Sequence, residues 1–390
     1  MEMLGTRPRL LALGEPTHGE DVLLDARNVL FRQLVEEEGY RTVAIESDCL
    51  AGLVVDDYVT SGTGDLDEVM ERGFSHGFGR SPANRALVAW MRAHNAGRPV
   101  AERVRFAGFD GPLEMSGGES PRAALTALHA HLSDRTDAAL LPCTARELDD
   151  LLGDDTRWTE PAAMRDPSRS VGRTAGAERL RLIADDLTVL LDAEAPDPED
   201  EREREERYRA LLYARTATGL LRYHAGTADT SPARLGRLLT LRASMMAANL
   251  LALTERGPTL AFAHNAHLQR ERSALTMDGR RVEWWSAGAV AHSRLGEAYA
   301  FVATALGTIR HRGVQDPPPD TVEGLLHALP GDRYAVDVRR LAAAFGDARP
   351  EPRRSPWYGY APLDPAHLTR KDALLYVKDA PEGPEWWPAG

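Results

Sequence analysis

The chain of 390 residues is 43% hydrophobic and 27% charged, a balance typical of globular proteins. Its formal net charge of −12 argues against a nucleic-acid partner, because such binding requires a basic surface. No apolar run approaches the roughly 18 residues that a transmembrane helix requires, so we expect no membrane partner.

Two further features bear on the location of the protein. The first residues, MEMLGTRPRLLALGEP, lack the basic head, long apolar segment and cleavage site of a secretory signal. The two cysteines, Cys49 and Cys143, are too far apart for a CxxC pair and too few for a disulfide framework. We therefore expect a cytoplasmic protein whose cysteines are ordinary core residues.

Short apolar runs alternate with amphipathic helical stretches, which predicts an α/β fold with a mostly parallel central sheet flanked by helices. The predicted strands are residues 9–14, 42–47, 104–110, 259–265, 299–305, 334–338 and 373–377. Between the first two strands, the apolar periodicity of residues 20–38 predicts a helix that ends at Gly39. Residues 82–96 predict another helix of the same kind.

The middle of the chain, residues 114–257, contains no convincing strand and has a helical pattern. We predict that it forms a large helical insertion or lid. This insertion divides the α/β core into a first part, residues 1–113, and a second part, residues 258–390.

Ionisable side chains follow four of the predicted strands at the point where each strand ends. They are Glu15 and His18 in LALGEPTHGE, Glu46 and Asp48 in AIESD, Asp110 in VRFAGFD, and His264 and His267 in FAHNAH. In an open α/β sheet, ligands bind beyond the carboxyl ends of the strands. One acidic residue at a strand end means little, but these groups together at one edge predict an active site.

The chemistry that this set supports is proton transfer. His18 can take a proton from water, while Glu15 or Glu46 orients its ring and stabilises the imidazolium that forms. A donor is also needed where negative charge develops on a substrate oxygen. The candidates for that donor are Arg27, His264 and His267.

Three other side chains are predicted to line the substrate pocket. His76 lies in RGFSHGFGR, where the glycines predict a turn. Asp48 and Asp110 follow strands at the same edge of the sheet. We expect these three groups to contact the substrate.

Several catalytic and binding motifs are missing. EWWSAG and GESPR each lack one glycine of GxSxG, which argues against a serine hydrolase. Neither GxGxxG nor a Walker loop is present to hold a nucleotide. Glu15 with His18, and His264 with His267, are pairs of good metal ligands but match no helical zinc motif. We therefore predict no metal and no cofactor, and a metal-binding or haem-binding protein is the third alternative.

Five segments in order, LGEPTHGE, AIESD, VRFAGFD, RASMMAANL and FAHNAH, resemble the erythromycin esterase family, whose members carry a GExxHG strand tip and an HNxH segment. The resemblance implies a metal-independent hydrolase that opens the lactone of macrolide antibiotics. By matching positions, it makes His18 the general base and assigns the other site positions to Glu15, Glu46, Arg27, His264 or His267, and Arg242. The assignment of Arg242 to substrate binding comes from the resemblance alone.

The chain departs from the family pattern at positions expected to form pocket walls. These are Ala243, where an acidic residue is common, Phe74, His76 and Phe78, where tryptophans are common, and Ala287 before Gly288, where methionine is common. Wall shape sets specificity while the reacting groups set the chemistry, so the departures imply related chemistry on a different substrate.

Two reactions on a small natural product follow from this interpretation. The first is hydrolysis of an ester or lactone of a macrolide-like compound, a reaction associated with antibiotic resistance, with His18 activating water. The alternative is a biosynthetic enzyme that uses the same base for cyclisation, acyl transfer or elimination on a polyketide-type substrate. Nothing in the sequence predicts the oligomeric state.

Overall fold

The computed structural model describes residues 4, 7–114, 117–194, 200–277, 279–346, 349–357 and 359–387. The chain divides into two compact units. Unit 1 consists of Met1–Ser47, Ala51–Phe109 and Leu250–Gly390, and unit 2 consists of Asp48–Leu50 and Asp110–Asn249. The predicted insertion, residues 114–257, overlaps unit 2, and its action as a lid stays a prediction.

The described residues form eleven strands, and seven of them make up the main sheet. In chain order the strands are β1 (Leu10–Glu15), β2 (Thr42–Asp48), β3 (Arg105–Asp110), β4 (Leu113–Glu114), β5 (Gly117–Gly118), β6 (Thr259–His264), β7 (Arg272–Met277), β8 (Arg280–Trp285), β9 (Tyr299–Thr308), β10 (Arg333–Asp337) and β11 (Ala373–Asp379). The main sheet has the order β10-β11-β9-β1-β6-β2-β3. Its strand β1 is parallel to β6 and β9, β6 is parallel to β2, and β10 is antiparallel to β11. All seven predicted strands lie in this sheet, which confirms the α/β prediction.

The hairpin of β7 and β8 was not predicted. Most side chains of β8 are exposed, so its sequence lacks the regular apolar alternation of a half-buried strand. The dipeptide Asp278-Gly279 between the two strands is the signal that indicates a hairpin turn. Gly279 has a φ of +72°, a conformation that glycine adopts without strain.

Helices surround the sheet in unit 1 and make up most of unit 2. In chain order they are α1 (Asp21–Glu37), α2 (Gly52–Ser61), α3 (Leu66–Arg72), α4 (Pro82–Asn95), α5 (Arg122–Ser133), α6 (Ala145–Leu152), α7 (Ala175–Asp192), α8 (Glu201–Thr227), α9 (Arg234–Arg256), α10 (Asn265–Leu268), α11 (Ala287–Leu295), α12 (Val322–His327) and α13 (Val338–Phe345). Within the described ranges, no helix combines the length and the apolar composition needed to cross a bilayer.

The first helix ends where the sequence predicts. Gly39 has a φ of +66°, and this turn brings the Tyr40 N–H to within 3.0 Å of the Leu34 carbonyl oxygen. Because glycine reaches this left-handed conformation at little cost, it ends α1 and redirects the chain into β2. The predicted helix at residues 82–96 corresponds to α4.

Each unit has its own apolar core. In unit 1, Leu13 of β1, Phe31 of α1, Ile45 of β2 and Phe262 of β6 are each at most 2% exposed. In unit 2, the leucine-rich faces of α5, α6, α7 and α8 pack together. The core of unit 1 fixes the ends of β1, β2 and β6, where most of the predicted site residues lie.

Candidate functional site

Strand β1 ends in a hydrogen-bonded carboxylate and imidazole. Glu15 is its last residue, and the loop after it carries His18 before α1 begins. The Nδ1 atom of His18 lies 2.7 Å from Oε1 of Glu15, which has no exposed surface. An ionised carboxylate only accepts hydrogen bonds, so Nδ1 donates and Nε2 is the basic nitrogen of the ring.

Glu46 of β2 connects three histidines. Its Oε1 lies 3.1 Å from His267 Nε2, and its Oε2 accepts the backbone N–H of His264 over 2.9 Å. The same Oε2 is 3.9 Å from His18 Nε2. Glu15, His18, Glu46, His264 and His267, which we call the histidine–glutamate cluster, therefore lie together in unit 1.

Strand register explains why the cluster forms. Glu15 is directly opposite His264 in the parallel pairing of β1 with β6. The next residue, Asn265, donates from Nδ2 to the Thr304 carbonyl of β9 over 2.9 Å and thereby fixes the start of α10. Gly14 allows this approach, because a Cβ at that position would lie 2.1 Å from Asn265 Oδ1.

His264 is a helix cap held in its neutral form. Its Nδ1 accepts the Ala266 N–H over 3.2 Å, and its Nε2 lies 3.2 Å from the Pro16 carbonyl oxygen, to which it donates. Burial, together with the charges of His18 and His267, lowers the pKa of His264 to about 3. Both ring nitrogens are therefore hydrogen-bonded to backbone groups.

The charges of the two carboxylates determine the protonation of His18. Burial alone disfavours its imidazolium, but the charge of Glu46 and the hydrogen bond and charge of Glu15 outweigh burial, so the pKa of His18 is raised. Burial raises the pKa of Glu15, against the hydrogen bond and charge of His18. Its Oε2 has no hydrogen-bond partner among the described residues. The pair therefore favours the state in which one proton is shared between His18 Nδ1 and Glu15 Oε1.

Arg27 is buried and hydrogen-bonded to two asparagines. It has no exposed surface, and its Nη2 donates to Asn28 Oδ1 and Asn84 Oδ1, each over 2.8 Å. The guanidinium lies 4.9 Å from the Phe262 ring centroid, and burial lowers its pKa to about 10. The charge of Arg27 lowers the pKa of Glu15, and its contact with a substrate oxygen stays a prediction.

His76 lies beside the cluster in a strained turn. Its φ of +55° is in the left-handed region, which residues other than glycine seldom adopt. Its charge lowers the pKa of His18. The ring of Phe78, two residues later, is 6.5 Å from the His76 ring and 5.7 Å from the His18 ring, measured between centroids.

The remaining predicted site residues belong to unit 2. Asp110 is fully buried, and its Oδ2 accepts from Arg242 Nη2 over 2.7 Å and from Arg242 Nε over 3.0 Å. Oδ1 of Asp110 also accepts the Gly111 N–H over 2.8 Å. Asp48 Oδ1 accepts the Leu50 N–H over 2.6 Å. The structure thus joins Asp110 to Arg242, and their contact with a substrate stays a prediction.

A tryptophan that the sequence does not indicate also lies beside the cluster. The indole of Trp387 lies 4.5 Å from the His18 imidazole, measured between ring centroids. No local pattern connects a tryptophan near the end of the chain with a histidine after the first strand. In the described part of the chain, no group of three or more His, Cys, Asp or Glu side chains is arranged to hold a metal ion.

Three solved structures share the fold over nearly the whole chain. A Bacillus cereus protein is 18% identical with a TM-score of 0.68, and the match covers 97% of this chain and 90% of that chain. A succinoglycan biosynthesis protein is 17% identical with a TM-score of 0.68 and coverages of 97% and 89%. A histidine-to-asparagine variant of the erythromycin esterase EreC, in its open conformation, is 17% identical with a TM-score of 0.66 and coverages of 96% and 91%. At these identities the likeness shows the fold alone.

The sequence itself matches a family model. A search of curated proteins gave no match. The model described as erythromycin esterase matches residues 35–380, which is most of the chain. Glu15, His18 and Arg27 precede the matched range, and Trp387 follows it. The chain therefore belongs to the erythromycin esterase family.

Proposed function

We propose that the protein hydrolyses an ester or lactone of a macrolide-like natural product, with His18 activating water. Family membership supports the reaction class. The observation that carries the proposal is the 2.7 Å hydrogen bond between His18 Nδ1 and Glu15 Oε1. This bond holds the proton on Nδ1, so Nε2 is available as the base.

In this reaction Nε2 of His18 takes a proton from water while the water oxygen adds to the acyl carbon. The tetrahedral intermediate then expels the alcohol oxygen, which receives the proton from the imidazolium. Glu15 and Glu46 stabilise the imidazolium between the two steps. The 3.9 Å between Nε2 and Glu46 Oε2 is too long for a direct hydrogen bond, and a water bonded to Nε2 can reach that carboxylate as well.

His267 is our candidate for the donor to the developing oxyanion. Both ring nitrogens of His264 are hydrogen-bonded to backbone groups, and the Arg27 guanidinium already donates to Asn28 and Asn84. His267 uses only Nε2, toward Glu46, whereas its Nδ1 is buried and has no partner among the described residues. When His267 is protonated, Nδ1–H can donate to the oxyanion while Nε2–H stays on Glu46.

The alternative is a biosynthetic reaction that uses the same base. Ala243, Phe74, Phe78 and Ala287 differ from residues common in the family, and such changes favour a different substrate. Three reactions begin with the same proton abstraction. They are cyclisation, elimination and transfer of an acyl group to an alcohol instead of water. The mass of the product distinguishes hydrolysis, which adds one water, from cyclisation and elimination, which do not.

The test is mass spectrometry of macrolides and other lactones after incubation with the protein. We expect the parent protein to add one water to a member of the panel. His18→Ala should lower kcat about 100-fold to 10,000-fold, the usual contribution of a general base. His94→Ala, at a histidine of α4 that packs on Trp90, is the matched control. A His18→Ala rate within about tenfold of the parent would contradict the role of His18.

A further inference from the structure

The C-terminal segment, residues 380–387, returns from β11 to the loop that carries His18. At its start, the Ala380 N–H donates to the carbonyl of the last residue of β9 over 2.9 Å. Near its end, Trp386 is 4% exposed and belongs to the core of unit 1. These contacts fix both ends of the segment, and they hold the next residue, Trp387, against the imidazole.

Two aromatic rings enclose the imidazole of His18. The indole of Trp387 lies at a centroid distance of 4.5 Å with 37° between the ring planes, a tilted contact. Phe78 approaches at 5.7 Å with its ring perpendicular to the imidazole. Trp387 and Phe78 also contact each other at 5.3 Å. The imidazole is therefore packed against both rings, which restricts its rotation.

The glycine after His18 makes room for this indole. Gly19 has a φ of +88°, and a Cβ at this position would lie 2.7 Å from the Cβ of Trp387. Any other residue at position 19 would strain the backbone and collide with the tryptophan. Gly19 thus permits both the turn into α1 and the approach of the C-terminal segment.

We propose that Trp387 is a positioning residue of the site, which holds the His18 imidazole in its hydrogen bond to Glu15 and stabilises its protonated form through the neighbouring indole. A cation over an aromatic face is stabilised by the ring quadrupole, most strongly with tryptophan. The imidazolium is the species that His18 becomes after it takes a proton from water. The catalytic consequence rests on the proposed function, whereas the contact between the two rings does not.

Several titratable groups act on the same imidazole. Glu15 and Glu46 favour its charged form, whereas His76 disfavours it, and His264 is kept neutral nearby. Replacing Trp387 leaves all of these groups unchanged. Loss of the indole face should lower the pKa of His18, whereas entry of water into the vacated space should raise it. The two effects have opposite signs, so the direction of the change identifies the cause.

The experiment is an NMR titration of the His18 imidazole in protein labelled on histidine, with the signal assigned through His18→Asn. It compares the parent, Trp387→Phe, Trp387→Leu and the control Trp90→Leu, which removes another tryptophan that packs on a histidine. We expect the pKa of His18 to fall by roughly 0.5 to 1 in Trp387→Leu. Trp387→Phe should restore most of the difference, and Trp90→Leu should give the parent value.

Nitrogen chemical shifts of the ring provide the second measurement. We expect the proton to remain on Nδ1 in the parent and in Trp387→Leu, because Glu15 accepts it in both, so that a change in the pKa of His18 reports the loss of the indole and not a change of tautomer. An unchanged or raised pKa in Trp387→Leu, or equal values for the Phe and Leu variants, would overturn the inference. Thermal unfolding verifies that each variant is folded, and Trp387→Met replaces Trp387→Leu if that protein is not.

Kinetics separate this inference from the proposed function. On any lactone that the parent hydrolyses, Trp387→Leu should lower kcat about 10-fold to 100-fold with little change in KM, because the base is misplaced while substrate contacts remain. A higher KM with an unchanged kcat would make Trp387 a substrate contact and overturn the inference. If no lactone is hydrolysed, the titration still decides the role of Trp387, and only the proposed function fails.

Discussion

His18 and Glu15 are joined by a 2.7 Å hydrogen bond from Nδ1 to Oε1, with the carboxylate fully buried and the imidazole 18% exposed. Water therefore cannot replace Glu15 as the partner of Nδ1 unless the end of β1 opens. The other nitrogen of this partly exposed ring is Nε2. This arrangement gives the histidine one fixed tautomer and one reactive atom.

Glu15→Gln tests that tautomer. The amide NH₂ can donate to Nδ1, which moves the ring proton to Nε2, where it blocks acceptance of a proton from water. We expect kcat to fall by about 100-fold to 10,000-fold while KM changes little. Ring nitrogen shifts should show the proton on Nε2. The control is Glu68→Gln, at an exposed glutamate, and a Glu15→Gln rate near the parent's would contradict the assignment.

Glu46→Gln should move the pH profile of the reaction. The base must be neutral, so kcat/KM falls as pH drops through the raised pKa of His18, and in the parent this limb lies above pH 6.5. Glu46 supplies the largest charge that favours the imidazolium. Its neutralisation should lower the pKa of His18 and shift the limb to lower pH. A limb that stays in place or moves to higher pH would exclude this electrostatic role.

Much of the fold and the grouping of the site follow from the sequence for a simple physical reason. Buried parallel strands are short apolar runs, and their carboxyl ends share one edge, so Glu15, Glu46 and His264 could be grouped from their positions in the chain alone. Arg27 follows Leu23 and Leu24 on the apolar stripe of α1, so its inward direction is consistent with the periodicity, whereas its partner Asn84 is brought to it only by tertiary packing. Trp387 was missed because only the folded chain brings it to the site.

Arg27→Met tests whether the arginine touches substrate. The substitution leaves the buried Oδ1 atoms of Asn28 and Asn84 without a donor, which should lower the free energy of unfolding by roughly 1 to 3 kcal/mol. Because the guanidinium has no exposed surface, KM should stay close to the parent value. Thermal or urea unfolding and steady-state kinetics give the two quantities. A raised KM in an Arg27→Met protein with the parent's unfolding free energy would instead indicate that Arg27 contacts the substrate.

The contact between Asp110 and Arg242 predicts energetic coupling within unit 2. Either alanine substitution removes the same bidentate interaction and leaves the other charge without its main partner. We expect Asp110→Ala and Arg242→Ala to be non-additive, with an interaction energy of about 1 to 3 kcal/mol in a double-mutant cycle of unfolding. Additive effects on stability, together with separate effects on KM, would instead favour independent contacts with substrate.

His264 should make the protein less stable in acid. Its pKa is about 3 in the folded state and near 6.5 when unfolded, so between these values the unfolded chain binds the extra proton. Stability from this group is complete above pH 6.5 and decreases as pH falls toward 3. His18 contributes no slope there, because its raised pKa acts only above pH 6.5.

His264→Asn removes this titration and keeps a side-chain oxygen that can cap α10. Between pH 6.5 and about pH 5, we expect the parent to lose at most roughly 2 kcal/mol more unfolding free energy than the variant, as measured by urea unfolding at both pH values. His367→Asn, at a histidine with a 39% exposed side chain, should behave as the parent. Equal acid sensitivity of the parent and His264→Asn would show that His264 is protonated in the folded protein, and its assignment as a neutral cap would then be wrong.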